Sequence, residues 1–121
     1  MPRILVVDDE AMIRTLLRAV LEREGYEVSE AINGADGLQQ YQATLPDLVI
    51  TDLQMPVMDG FQLLQELQRM APPPAVIAIS GDQHTLMQAR ALTPYTFAKP
   101  LPLQQLLATV RALVAARPEC P

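Results

Sequence analysis

Short apolar runs alternate along the chain with longer stretches in which apolar residues recur every three or four positions. The runs are mostly aliphatic, and several are continuous rather than alternating, as in strands that are covered on both faces of a sheet. They predict five strands, at Arg3–Val7, Glu27–Ala31, Leu48–Thr51, Ala75–Ser80 and Tyr95–Ala98.

The stretches between the runs have the apolar spacing of amphipathic helices. Their stripes are, in chain order, Ile13, Leu16, Leu17, Val20 and Leu21; Ala35, Leu38 and Tyr41; Leu63, Leu64, Leu67 and Met70; and Leu103, Leu106, Leu107, Val110, Leu113 and Val114. A weaker helix is predicted from about residue 83 to residue 92, with Met87 and Ala91 as its inward positions.

Turn residues and prolines separate these elements. Asn33-Gly34 is a typical turn, and the three consecutive prolines at 72–74 cannot continue a helix. Five strand–helix units with short connections predict a parallel sheet with helices on both faces, joined by right-handed crossovers. We therefore expect residues 1–121 to form a single doubly wound α/β domain.

Composition and charge argue against several classes of protein. Half of the 121 residues are hydrophobic and the formal net charge is -5, which argues against a nucleic-acid footprint or a polybasic membrane patch. No apolar run approaches the roughly 18 residues of a membrane span, and the first residues lack a signal-peptide layout. The single cysteine, Cys120, has no partner for an internal disulfide. These features favour a cytoplasmic protein.

Polar side chains follow four of the predicted strands, at the edge of the sheet where open parallel sheets bind ligands. The first strand is followed by Asp8 and Asp9, and the third by Asp52. The fourth strand ends at Ser80, and Lys99 follows the fifth. Three carboxylates, a hydroxyl and an ammonium should therefore meet at one edge.

This set of groups is suited to phosphate chemistry. Converging carboxylates without His or Cys predict a hard cation bound through oxygen, Mg²⁺ or alternatively Mn²⁺. Two carboxylates at roughly 4 Å repel each other by about 4 kcal/mol in a typical protein dielectric, and a cation would relieve that repulsion at Asp8 and Asp9. Lys99 adds a second positive charge, and Ser80 offers a hydroxyl to a phosphoryl oxygen. Asp52 is then the carboxylate best placed to act as nucleophile.

Simpler roles are open for some of these residues. Asp9 could merely begin the first helix, and Ser80 could cap the fourth helix through the S-x-x-Q pattern that it starts. Glu10 is expected in the first helical turn, where its charge favours the helix dipole.

Three further charged residues receive no role in the site. Glu30, at the end of the second strand, fits no obvious group, and Arg14 and Arg18 are expected to form a solvated face of the first helix.

Four segments together resemble the receiver domain of two-component response regulators. They are ILVVDDE near the start, TDLQMPVMDG in the middle, then VIAISG, and AKP near the end. The resemblance covers essentially the whole chain. It implies a flavodoxin-like (βα)5 fold with a five-stranded parallel sheet in the strand order 2-1-3-4-5, of the stand-alone chemotaxis-regulator type.

The resemblance implies a role for each acid of the set. Asp52 would be the phosphoacceptor, taking a phosphoryl group from the phosphohistidine of a histidine kinase. Asp9, Asp52 and the backbone carbonyl of Gln54 would be ligands of Mg²⁺, and Asp8 would act on the metal through a water molecule.

The remaining matching residues would serve the phosphoryl group and the loops around it. Lys99 would pair with the acceptor or its phosphoryl group, and Ser80 would move to bond that group on activation. Pro56 and Gly60 would shape the loop after the acceptor, and the peptide bond between Lys99 and Pro100 would be cis.

The chain departs from the family pattern where the output switch is expected. The family usually has a tyrosine or phenylalanine three residues before the lysine, and this chain has Thr96 there, with Tyr95 beside it. Either Tyr95 takes over the switching role or output does not use an aromatic rotamer. Gln54 and Asp82 are candidates for tuning the lifetime of the phosphorylated state.

The resemblance implies a signalling module that assists its own phosphorylation and dephosphorylation, rather than an enzyme with a separate substrate. Its partners would be a sensor histidine kinase or phosphotransfer protein and a downstream protein. The downstream target would bind the face made by the fourth helix, fifth strand and fifth helix. The chain would be a monomer or a phosphorylation-dependent dimer, with no nucleic-acid or membrane binding.

Two alternatives remain at this point. The first is a Mg²⁺-dependent phosphohydrolase with an aspartate nucleophile, but such enzymes have D-x-D-x-T after the first strand, where this chain has D-D-E. The second is a receiver-shaped scaffold that is never phosphorylated. It is disfavoured because all five site residues are present.

Overall fold

The computed structural model describes residues 2–54 and 60–116, and its strands form one parallel sheet. The strands are β1 (Arg3–Val7), β2 (Glu27–Ala31), β3 (Leu48–Asp52), β4 (Ala75–Ser80) and β5 (Thr96–Ala98). Their order across the sheet is β2-β1-β3-β4-β5. The predicted doubly wound fold and its strand order are therefore confirmed.

Within the described residues, five helices connect and follow the strands: α1 (Ala11–Arg23), α2 (Gly34–Thr44), α3 (Gly60–Gln68), α4 (Gln83–Ala89) and α5 (Leu103–Ala116). Apolar residues of α1 and α5 pack on one face of the sheet, and those of α2 and α3 pack on the other. A smaller cluster joins α4 to β4 and to the residue after β3. No described helix has both the length and the apolar character needed to cross a membrane.

The first strand shows why continuous apolar runs predict this fold. Residues 4–7 are completely buried, with Ile4 and Val6 in the cluster with α1 and α5. Leu5 and Val7 lie in the cluster with α2 and α3. Because successive side chains of a strand point to opposite faces, a strand between two helical layers needs apolar residues at every position.

The prediction for the fourth helix was wrong in its length and its inward face. The helix ends at Ala89, Met87 is 63% exposed, and Ala91 is also exposed. The inward residues are Thr85, Leu86 and Ala89. Because Asp82 is the N-cap, it fixes where the helix starts and therefore which residues face the core. The segment has too few apolar residues for spacing alone to reveal that inward face.

Two strand ends also differ slightly from the prediction. Asp52 pairs with Ile79 and belongs to β3, so the third strand is one residue longer than its apolar run. The fifth strand begins at Thr96, the first residue of β5 that pairs with β4. Tyr95 precedes this paired segment, and its carbonyl oxygen accepts a hydrogen bond from Ala78 N at 2.9 Å. Both differences lie at the ends of elements, where the apolar pattern is weakest.

Candidate functional site

The carboxyl ends of β1, β3 and β5 bring three charged side chains into contact. Lys99 follows β5 and its Nζ lies 3.2 Å from Asp8 Oδ2 and 3.4 Å from Asp52 Oδ2. Asp8 follows β1, and Asp52 is the last residue of β3. The structure therefore brings these three predicted site residues together.

Two further carboxylates, from Asp9 and Glu10, join this group. Asp8, Asp9, Glu10 and Asp52 each offer a carboxylate oxygen, and these oxygens all lie within 4.8 Å of one another. Glu10 is the N-cap residue of α1, but its side chain makes no cap hydrogen bond and its Oε1 lies 3.1 Å from Lys99 Nζ. The prediction that Glu10 serves the helix was therefore incomplete, although its place directly after two aspartates was a signal for the site.

The surroundings of Asp8 fit a hard cation. Its side chain is completely buried, and Oδ1 accepts a hydrogen bond from Glu10 N at 2.8 Å. Oδ2 has no hydrogen-bond partner among the described residues, although Lys99 Nζ lies near it. Since a buried carboxylate oxygen normally has a partner, this oxygen and its acidic neighbours suit Mg²⁺ or a similar ion.

Burial and charge shift the pKa values of the three inner groups. Burial raises the pKa of Asp8 to about 6, which the hydrogen bond from Glu10 N opposes and the nearby charge of Asp52 reinforces. Burial also raises the pKa of Asp52, against the opposing charge of Lys99. For Lys99, burial would lower the pKa, but the hydrogen bond to Glu10 and the charges of Asp8 and Asp52 together raise it. The ammonium therefore stays charged among more acids than it can neutralise.

Ser80 lies at the same edge but is turned toward the start of α4. It is completely buried, and its Oγ accepts a hydrogen bond from Asp82 N at 3.1 Å. The alternative that Ser80 caps α4 was wrong. The cap is Asp82, whose Oδ2 accepts from Thr85 N at 3.2 Å and from Thr85 Oγ1 at 2.5 Å, because Asp82, and not Ser80, stands immediately before the helix.

Gln54 contacts both Asp52, at the end of β3, and Thr85 of α4. Its backbone N donates to Asp52 Oδ1 at 3.3 Å, and its side-chain Nε2 lies 3.5 Å from Thr85 Oγ1. The hydrogen bonds from Thr85 lower the pKa of Asp82. The two candidates for tuning, Gln54 and Asp82, are thus joined through Thr85, a residue that the sequence analysis missed although D-x-x-T is a capping pattern.

Gly60 and Pro100 occupy constrained positions beside the site. A Cβ added to Gly60 would lie 2.1 Å from the carbonyl oxygen of Asp52, so α3 can begin this close to β3 only with glycine. The peptide bond between Lys99 and Pro100 is cis, as the resemblance implied. Pro56 lies outside the described residues.

The two candidate switch residues occupy different surroundings. Thr96 is partly buried, and its Oγ1 lies 3.5 Å from Arg90 Nε. Tyr95 is 37% exposed, its N donates to Thr93 Oγ1 at 3.2 Å, and it borders a groove along α5 with Leu113. Both residues remain candidates for an output switch.

The prediction of a solvated arginine face on α1 was wrong for Arg14, whose side chain is 17% exposed, and incomplete for Arg18, whose side chain is 38% exposed but ion-paired. Arg14 Nε lies 3.2 Å from Glu30 Oε1, and Arg18 Nε lies 2.5 Å from Glu30 Oε2. Arg14 Nη1 also donates to the carbonyl oxygen of Asp8 at 2.8 Å. Glu30, which fitted no group in the sequence, is the carboxylate that joins the two arginines, because β2 ends beside α1.

Known proteins share both the sequence pattern and the fold. The family model for the response regulator receiver domain matches residues 4–111. The chemotaxis protein CheY of Bacillus subtilis is 39% identical over 90 residues, which is 72% of this chain and 75% of that protein. The virulence regulator BvgA of Bordetella pertussis is 34% identical over 91 residues, 74% of this chain and 44% of BvgA.

A solved structure with the same fold contains Mg²⁺ and BeF. It is the response regulator TrrA from Thermotoga maritima in complex with Mg²⁺ and BeF, with a TM-score of 0.86 and 32% identity over 93% of this chain and 99% of that one. The chain spans about half the length of several transcriptional regulators that it matches, such as 44% of BvgA and 48% of ResD from Bacillus subtilis. The family match favours a receiver over the alternative phosphohydrolase. The chain therefore belongs to the receiver domain family of two-component response regulators.

Proposed function

We propose that Asp52 is the residue that accepts the phosphoryl group. A bond forms between an Asp52 carboxylate oxygen and phosphorus as the phosphorus–nitrogen bond of the donor phosphohistidine breaks, and the imidazole nitrogen keeps the electron pair. The observation that carries this assignment is the place of Asp52 at the end of the buried strand β3, 3.4 Å from Lys99 Nζ and within the four-acid cluster.

The acidic cluster would hold the divalent cation of the reaction. Asp8, Asp9, Asp52 and the backbone carbonyl of Gln54 are the proposed ligands or water-mediated contacts for Mg²⁺, with Mn²⁺ as an alternative. Support comes from the buried Asp8 Oδ2, which has an ion pair with Lys99 at 3.2 Å but no hydrogen-bond partner among the described residues, and from the oxygens gathered within 4.8 Å. When bound, the ion supplies positive charge that offsets the oxygens of the phosphoryl group.

Lys99 and Ser80 are the proposed contacts of the transferred group. Lys99 Nζ contacts three carboxylates, including that of Asp52. The positive charge of Lys99 would therefore already be in place to stabilise the oxygens of a phosphoryl group on Asp52. Ser80 would exchange its bond from Asp82 N for one that its own hydroxyl donates to a phosphoryl oxygen. That exchange would loosen the turn before α4, and Gln54 and Asp82 would set how long the group persists.

The chain acts, in our proposal, as one receiver domain that assists its own phosphorylation and dephosphorylation. Receiver domains are signalling modules that interact with histidine kinases and downstream targets. For this chain we propose a sensor kinase or phosphotransfer protein as donor, and a protein target bound to the face of α4, β5 and α5. We place it in the cytoplasm, without direct binding to nucleic acid, as a monomer that can dimerise on phosphorylation.

The assignment of Asp52 is tested with a small phosphodonor. The chain is incubated with acetyl phosphate and Mg²⁺, and its intact mass is measured before and after removal of the metal. We expect one added phosphoryl group in the wild type and none in Asp52→Ala. The matched control is Asp47→Asn, which changes an aspartate just before the opposite end of the same strand and should still be modified. The same adduct on Asp52→Ala would sink the assignment.

A further inference from the structure

We infer that Arg14 is a positioning residue for the acidic site, acting through the main chain of Asp8. The inference rests on the proposed metal site and adds to it a residue outside the acidic cluster. Arg14 lies on α1 with its side chain 17% exposed, and its guanidinium contacts both the Asp8 carbonyl and Glu30.

The Asp8 carbonyl is free to accept this bond because it lies just past the paired strand. The last pair between β1 and β2 joins Val7 to Ala31, and Asp8 N still donates to Ala31 O at 3.1 Å. The next carbonyl, that of Asp8, instead accepts from Arg14 Nη1 at 2.8 Å. A backbone carbonyl beside a buried side chain requires such a donor.

This bond fixes more than one atom of the site. The Asp8 carbonyl and the Asp9 amide belong to one planar peptide unit, so holding the carbonyl also sets the direction in which Asp9 leaves the strand. Asp8 Oδ1 in turn accepts from Glu10 N. Arg14 thereby holds the segment that carries three of the four clustered acids.

Glu30 holds the guanidinium in place. Its Oε1 lies 3.2 Å from Arg14 Nε, and its Oε2 lies 2.5 Å from Arg18 Nε. A planar guanidinium can donate to a carboxylate and a carbonyl from fixed directions, which a lysine ammonium on a flexible stem cannot reproduce. Arg18 shares Glu30 but bonds otherwise to Glu22, and no contact of Arg18 with Asp8 is found in the described structure.

The sign of the effect on metal affinity separates positioning from charge. Arg14 is a cation near a cation site, so removing its charge alone should tighten metal binding. Removing its hold on the Asp8 peptide should weaken binding, since outer partners that orient metal ligands contribute about tenfold or more to affinity. The two effects therefore act in opposite directions.

The test uses the full chain, stripped of metal, and measures Mg²⁺ and Mn²⁺ dissociation constants by calorimetric titration. We expect Arg14→Gln to bind about tenfold more weakly than wild type. We expect Arg14→Lys, which keeps the charge, to weaken binding as well. Arg18→Gln is the matched control, because it removes an equal charge and the same Glu30 partner, and it should bind as tightly as wild type or slightly more tightly.

A second readout needs no metal. In the metal-free protein, the backbone amide resonances of Asp9 and Glu10 should move in Arg14→Lys and stay in place in Arg18→Gln. Unchanged or tighter metal binding in Arg14→Gln would overturn the inference, and so would equal weakening in Arg18→Gln. A wild-type chain that binds neither ion would instead contradict the proposed metal site, and with it the inference.

Discussion

Asp8 carries its charge in surroundings that oppose it. The side chain is completely buried, and the cation paired with its carboxylate, Lys99, is shared with Asp52 and Glu10. A single ammonium cannot neutralise three carboxylates, and burial, reinforced by the charge of Asp52, raises the pKa of Asp8. At the residue scale, the metal-free site therefore holds excess negative charge, which protons or a divalent cation can offset.

The first prediction concerns pH. Because the folded-state pKa of Asp8 is about 6 and its ordinary value is 3.8, the folded chain binds the proton more tightly than the unfolded chain. The stabilisation that the folded chain gains from protonated Asp8 is fully present below pH 3.8, and it is lost as the pH rises through about 6. The loss is at most about 3 kcal/mol.

The measurement is urea unfolding in chelator between about pH 4.5 and 7.5, a window that spans the pKa of about 6 and lies above the ordinary pKa values of carboxylates. The free energy of unfolding should fall with pH in the wild type, and this fall should be much smaller in Asp8→Asn. An identical pH profile for the two proteins would contradict the prediction.

The second prediction concerns Lys99. Lys99→Met removes the cation from two buried carboxylates, so the metal-free domain should lose about 3 kcal/mol of stability at pH 7. Mg²⁺ should bind this variant more tightly than the wild type, because no ammonium competes for the acids. Calorimetry and urea unfolding measure both effects. Arg69→Gln, which breaks an exposed pair with Glu66, is the control and should change stability by less than about 1 kcal/mol.

At the scale of elements, the approach of α3 to β3 depends on a single small residue. The helix begins at Gly60, whose N donates to Leu53 O at 3.2 Å, and the position that a Cβ would take there lies 2.1 Å from the Asp52 carbonyl oxygen. A side chain there has no room unless the end of β3 or the start of α3 moves. The end of β3 at Asp52 and the first turn of α3 are therefore sterically coupled.

The third prediction compares two glycines. Gly60→Ala should destabilise the domain by about 3 kcal/mol, because the added Cβ would lie 2.1 Å from a backbone oxygen. Gly81→Ala should change stability by less than about 0.5 kcal/mol, since an added Cβ there has no atom within 4 Å. Thermal or urea unfolding of the two variants measures the difference. Equal stabilities would show that β3 and α3 can separate without cost.

The sequence predicted the elements whose burial leaves a periodic signature. Strands such as β1 and β3 are covered on both faces, so their apolar runs are continuous, and the long helix α5 shows several turns of one stripe. The short helix α4 has no such stripe, and its inward face depends on the cap at Asp82. Its phase could not be read from spacing alone.

The part of the candidate site that lies at the carboxyl ends of the strands could be predicted from the sequence. The topology of a parallel sheet brings Asp8, Asp52 and Lys99 together, whatever the side-chain rotamers are. The contacts of Glu10 with Lys99 and of Arg14 with Asp8 depend on how α1 turns away from β1. That angle is set by tertiary packing, so charge patterns along the sequence could not show it.

At the scale of the whole molecule, the fourth prediction concerns the coupling of metal to folding. A cation that binds only the folded state should raise the free energy of unfolding, by about 2.7 kcal/mol at a free concentration 100 times its dissociation constant. The wild type in excess Mg²⁺ should therefore unfold at higher urea than in chelator. This difference should be largely lost in Asp52→Asn, and an equal difference in both proteins would place the cation elsewhere.

The burial of β3 has a consequence for hydrogen exchange. All five residues of β3 are buried, and the strand is paired on both sides. By contrast, β5 has only three residues, all partly buried, and α4 is a short helix of seven residues. Amide protons of β3 should exchange only through global opening, and those of β5 and α4 through smaller local openings. We therefore expect the proposed acceptor to lie in a slowly opening strand, and two of the three elements of the face proposed to meet the target, α4 and β5, to open more readily.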